Sequence, residues 1–115
     1  MAGFAHADDA ALVVAGHGES LEQAVAKPHA PNYRLLVRHE ELQRLRAHPA
    51  EPEARSIIDN ARRDGAVVFV CERDLRAERL QRSDLLPGVV SIAAASDWVN
   101  GAPTDADVAL RQHCS

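Results

Sequence analysis

The chain has 115 residues, enough for one domain with a modest core, read here as a single unit over 1–115 with a polar lead-in at 1–10. Hydrophobic residues make up 46% but aromatics only 3%, so alanine carries much of the apolar content, each residue buries little area, and an oligomer is favoured. A net charge of −4 argues against a nucleic-acid partner held by broad phosphate neutralisation, and no run of about 18 apolar residues offers a membrane-spanning helix.

In chain order, Phe4-Ala5-His6-Ala7-Asp8 carries an Ala-x-Ala step before an acid, as at a signal-cleavage site. No basic region or sufficient apolar stretch precedes it. The expected location is therefore cytoplasmic, or periplasmic if the start comes from a processed precursor. Ala11–Ala15 reads as a short buried strand. Gly16-His17-Gly18-Glu19 is a turn, and Ser20 with Gln23 forms a capping box for a helix reaching about Lys27. Pro28 and Pro31 bracket the loop that ends it.

Tyr33–Val37 is a second strand, and Leu42 and Leu45 mark a short helix over Glu40–Ala47. After a proline-broken loop, Ala54, Ile57, Ile58 and Ala61 recur at i, i+3, i+4 and i+7, the clearest helical stripe in the chain. Arg62 and Arg63 favour its C-terminal dipole, and Gly65 stops it. Ala66–Val70 is a third strand running directly into Cys71. Leu75–Arg82 is helical in composition, Leu85–Gly88 is a turn, and Val89–Ala93 is a fourth strand. A loop around Trp98 follows. Thr104 with Asp107 then caps a last helix bearing Ala106, Ala109 and Leu110.

Apolar strands alternating with amphipathic helices predict an α/β fold: a three-layer, flavodoxin-like sandwich with a mostly parallel sheet of 4–5 strands. The step Val70-Cys71 puts a thiol at the carboxyl end of a buried strand, where reactive groups gather in such sheets. Cys71 is read either as a thiolate nucleophile, with Arg73 and Arg76 lowering its pKa, or as a small apolar residue closing a strand. Arg73, Arg76, Arg79 and Arg82 recur every three residues, facing an acidic partner or simply solvent, where Glu72 pairs with Arg76 and Glu78 with Arg82. His39 directly follows the second strand and would share the carboxyl edge with Cys71. Gly16 and His17 occupy the strand-to-helix turn where backbone N–H groups attract anions, although the spacing matches no phosphate-binding motif.

The six histidines show no metal-ligand spacing, and the two cysteines, Cys71 and Cys114, lack CxxC spacing. Cys114 is either a mobile thiol able to resolve a mixed disulfide or an incidental residue of a frayed tail.

The stretch Gly65-Ala66-Val67-Val68-Phe69-Val70-Cys71-Glu72-Arg73-Asp74-Leu75-Arg76, with Asp84-Leu85-Leu86-Pro87-Gly88-Val89-Val90, resembles the DsrE/DsrF-like family. The likeness covers about residues 54–93; the first half agrees in element order alone. Two departures stand out: His39 is followed by Glu40-Glu41 where relatives often have a small residue, and the segment after the fourth strand differs. The resemblance implies a compact α/β domain, usually a trimer or hexamer. It also implies a sulfur relay with Cys71 holding sulfane sulfur as a persulfide, other sulfur-carrier proteins as partners, and no metal or organic cofactor. The same fold also serves as a non-catalytic oligomeric subunit or binding module.

Overall fold

A computed structural model describes residues 10–16, 18–92 and 105–114. Four parallel strands form the sheet, β1 (Ala10–Ala15), β2 (His29–Val37), β3 (Val67–Cys71) and β4 (Val90–Ile92), lying side by side in chain order. The helices between and after them are α1 (Leu21–Val25), α2 (Pro52–Arg63), α3 (Glu72–Ala77) and α4 (Asp105–Cys114). Short 3-10 helices occupy His39–Leu45 and Arg82–Asp84. This is the expected α/β, flavodoxin-like sandwich.

Side chains alternate along each strand, so the sheet divides its residues between two faces. On one face Val13, Ala15, Leu35, Val37, Val68 and Val70 join Leu21, Ala24, Leu42, Leu45, Ala54, Ile58, Ala61 and Leu75 in the main core. On the other, Leu36, Cys71 and Ile92 pack with Leu110 and Cys114 of α4, flanked by half-buried Leu12, Val14 and Phe69. Val67 and Val90, in the same alternation as Phe69, are 45% and 41% exposed.

The capping box at Ser20 forms: Ser20 Oγ accepts from the Gln23 N–H at 3.1 Å, and Gln23 Oε1 accepts from the Ser20 N–H at 2.9 Å. α2 begins on Pro52, whose fixed φ and missing donor suit a first helical position, and buries Ala54, Ile58 and Ala61.

Four local expectations change. The segment after Pro28 is strand, because β2 starts at His29 and carries Pro31 inside an irregularity against β1. There the register moves from Ala10↔His29 to Leu12↔Arg34, and Asn32 takes φ 57°, so the proline falls where the ladder is already interrupted. Residues 39–45 form a 3-10 helix, which still buries Leu42 and Leu45. The helix after Cys71 starts earlier, at Glu72, and ends at Ala77; Arg79 adopts φ 57° and Arg82 begins a separate 3-10 turn. The four arginines therefore do not spiral along one helix. Finally, Cys114 is no frayed residue: it lies in α4 and is buried. Of the lead-in only Ala10 is described, and it already belongs to β1; residues 1–9, the loop around Trp98 and the Thr104 cap lie outside the described residues.

Candidate functional site

The carboxyl ends of β1, β2 and β3 meet at one edge. The Arg38 N–H donates to the Ala15 carbonyl at 2.8 Å, and Gly16 lies so close to Arg38 that a Cβ there would stand 2.2 Å from the Arg38 oxygen. With φ 104° as well, position 16 requires glycine on two counts. β2 runs beside β3 with Val37 opposite Val70, so Arg38 and His39 leave the sheet next to Cys71. His39 thus shares the edge with Cys71, as its place after β2 predicts. It is half-buried and holds φ 54° at the start of its 3-10 helix.

Beside the cysteine, the Arg38 guanidinium grips the Asp74 carboxylate with both forks, Nε to Oδ2 at 2.8 Å and Nη2 to Oδ1 at 3.2 Å. The side chains are 14% and 6% exposed. Such a two-pronged, charge-assisted pair fixes both partners in orientation. It ties the end of β2 to the first turn of α3, the helix that Cys71 caps. Sequence reading missed both members. Arg38 looked like one more charge after a strand, and Asp74 like a solvated residue in a charged run.

Cys71 itself is fully buried, in the apolar cluster under α4, and is joined by a disulfide to Cys114, 43 residues away, with Cα atoms 5.2 Å apart. That spacing is ordinary for the bond. The pairing brings together the two cysteines whose meeting the sequence left open.

The arginines go elsewhere. Arg76 and Arg82, with Gln81 and Ser91, line an open groove of about 330 Å³ beside α3. Ser91 lies opposite Val70, hence on the main-core face, whereas Cys71 points to the α4 face. The sheet therefore separates this groove from the sulfur. Arg82 Nη1 donates to Ser91 Oγ at 3.2 Å, and Glu78 Oε1 accepts from Gln43. Arg73 is exposed on α3.

In the Gly16–Ser20 turn the backbone donors of Gly16, Glu19 and Ser20 are already engaged. The Gly16 and Glu19 N–H groups bond each other's carbonyls at 2.6 and 3.2 Å, and the Leu21 N–H donates to the Glu41 carboxylate at 2.8 Å. His17 lies outside the described residues. Glu41 also joins Glu22 and Glu51 around Arg44, whose guanidinium contacts all three carboxylates at 2.5–3.1 Å. The Arg44 hydrogen bonds pull the exposed Glu22 carboxyl down to about 2 from 4.5, and the same bonds raise Arg44.

Among the described residues, no group of three or more His, Cys, Asp or Glu side chains gathers as metal ligands would. No described helix is long and apolar enough to cross a membrane. No family model matches the chain, and no curated protein matches it.

Proposed function

We propose that the chain is a DsrE/DsrF-like sulfur carrier whose Cys71, once reduced, holds sulfane sulfur as a persulfide. The observation that carries this reading is the seat of Cys71: the last residue of a central parallel strand, capping α3, with a second cysteine within bonding distance. A thiol paired in this way can exchange between disulfide and reduced forms, and sulfur transfer needs that chemistry and no cofactor. The Cys71 thiolate attacks the outer sulfur of a donor persulfide, and the donor thiolate leaves. An acceptor thiolate then takes that outer sulfur and Cys71 departs as thiolate. Arg38 and Asp74 hold α3 and the edge around the cysteine in place, and His39 stands on the same edge. Arg73 and Arg76, exposed on α3, suit an acidic protein partner such as another sulfur carrier. The exposed Val67 and Val90 suit a homo-oligomeric contact.

A second reading is a non-catalytic oligomeric or binding module in which the disulfide is a staple. It is favoured by the burial of both sulfur-bearing residues, at 0% and 3% exposure. Treating reduced protein with glutathione persulfide and taking an intact mass separates the two. The carrier gains about 32 Da in a Cys114→Ser chain and nothing in Cys71→Ser. A reduced Cys71 that takes up neither sulfur nor an alkylating agent leaves the staple.

A further inference from the structure

Resting on that reading, we infer that Cys114 is the resolving thiol of the Cys71 persulfide, so that a loaded chain which meets no acceptor releases its sulfur as hydrosulfide. Reach is the first ground, since the two residues already form a bond from Cα positions 5.2 Å apart. Access is the second. α4 covers Cys71, so a thiol on another macromolecule meets the helix before it meets the sulfur, whereas Cys114 is inside the cover.

The third ground is electrostatic. The neighbours of Cys71 in its cluster are Leu36, Ile92 and Leu110. Aliphatic surroundings disfavour the persulfide anion and favour its protonated form, the form whose Sγ–S bond a thiolate cleaves with hydrosulfide as the leaving group. Leu110, one helical turn before Cys114, packs into the same cluster and holds the attacking residue in place.

With the disulfide reduced, α4 lifts, a small persulfide reaches Cys71, and its outer sulfur moves to the Cys71 thiolate. The helix recloses, and the Cys114 thiolate attacks Cys71 Sγ. The Sγ–S bond of the protonated persulfide breaks, the Cys71–Cys114 bond forms, and the outer sulfur leaves with the bonding electron pair, keeping the proton it already carries, as HS⁻. The sulfane sulfur is reduced and the two cysteines are oxidised. A dithiol reductant then restores both thiols by exchange.

The test starts from reduced full-length protein, mixed briefly with glutathione persulfide and desalted at once. Hydrosulfide and intact mass are then followed in time. The wild type is expected to release one hydrosulfide per loaded chain and to finish about 2 Da lighter than the reduced protein. Cys114→Ser and Cys114→Ala are expected to keep the adduct of about 32 Da at least about tenfold longer, because solution thiols lack the proximity of Cys114. If wild type and both variants lose the adduct at one rate, or the wild type loses it without forming the disulfide, the resolving role is overturned while the carrier stands. If Cys114→Ser never acquires the adduct, the carrier reading falls, and this inference with it. The wild-type ratio of hydrosulfide to disulfide decides the matter even if a variant folds poorly.

Discussion

The two faces of the sheet are built on different principles. The main-core face spreads its hold over twenty buried apolar residues from β1, β2, β3, α1, α2, α3 and the connecting turns. The α4 face, among the described residues, gathers five, two of which are the bonded cysteines. Burial on the first face is distributed, and each fully buried leucine adds about 1.5–3 kcal/mol. On the second, a covalent bond does much of what packing does elsewhere. The attachment of α4 is therefore coupled to the redox state of the Cys71–Cys114 pair, whereas the main core is held by packing alone among its described residues.

The largest expected effect breaks the distributed face. Leu35→Ala, at a fully buried position, should lower stability by up to about 5 kcal/mol in urea unfolding. A loss under about 1 kcal/mol would mean that this face is looser than its burial indicates. The next effect concerns the thin face. Removing the disulfide, which closes 43 residues of chain, should cost up to about 4 kcal/mol. On reduction, hydrogen exchange should show the amides of α4 losing protection while β2 and β3 keep theirs. An α4 equally protected in both states would show that apolar contact alone secures it.

Asp74→Ala tests the edge between the two faces. It leaves the Arg38 guanidinium largely buried without its partner, and the expected loss is about 3 kcal/mol. Asp74→Asn should cost less, because an amide oxygen still accepts one of the two bonds. The smallest effect lies at the surface, around Arg44. The Glu22 carboxyl, depressed to about 2 from 4.5, contributes stability that is present above about 4.5 and is lost as pH falls through 2. Full exposure of Glu22 keeps that contribution small. The sharper readout is its NMR titration, expected near 2 and returning towards 4.5 in Arg44→Ala.

What the sequence reveals follows the range of each interaction. β1, the α1 capping box, α2 and β3 are legible because their signals lie within one element: an apolar run, a Ser-x-x-Gln spacing, a stripe at i, i+3, i+4. The start of β2 is hidden because Pro31 normally argues against strand, and only pairing with β1 across an interruption accommodates it. The end of α3 is hidden because Arg79 takes a left-handed conformation that its side chain does not announce. At the candidate site, the seat of Cys71 at the end of β3 is readable from its place after Val70. Its bond to Cys114 is not, since no local pattern in the residues between them signals which face α4 covers. Arg38 and Asp74 stay invisible for the same reason, being 36 residues apart and ordinary in type.

The small cluster under α4 has one more property. Leu12 and Val14 come from β1, Leu36 from β2, Phe69 and Cys71 from β3, and Ile92 from β4, so the cluster that takes in Leu110 and Cys114 of α4 draws on all four strands. Under mechanical load, a tension applied through α4 therefore enters the sheet at its interior, through the covalent link to Cys71 at the end of the central strand β3.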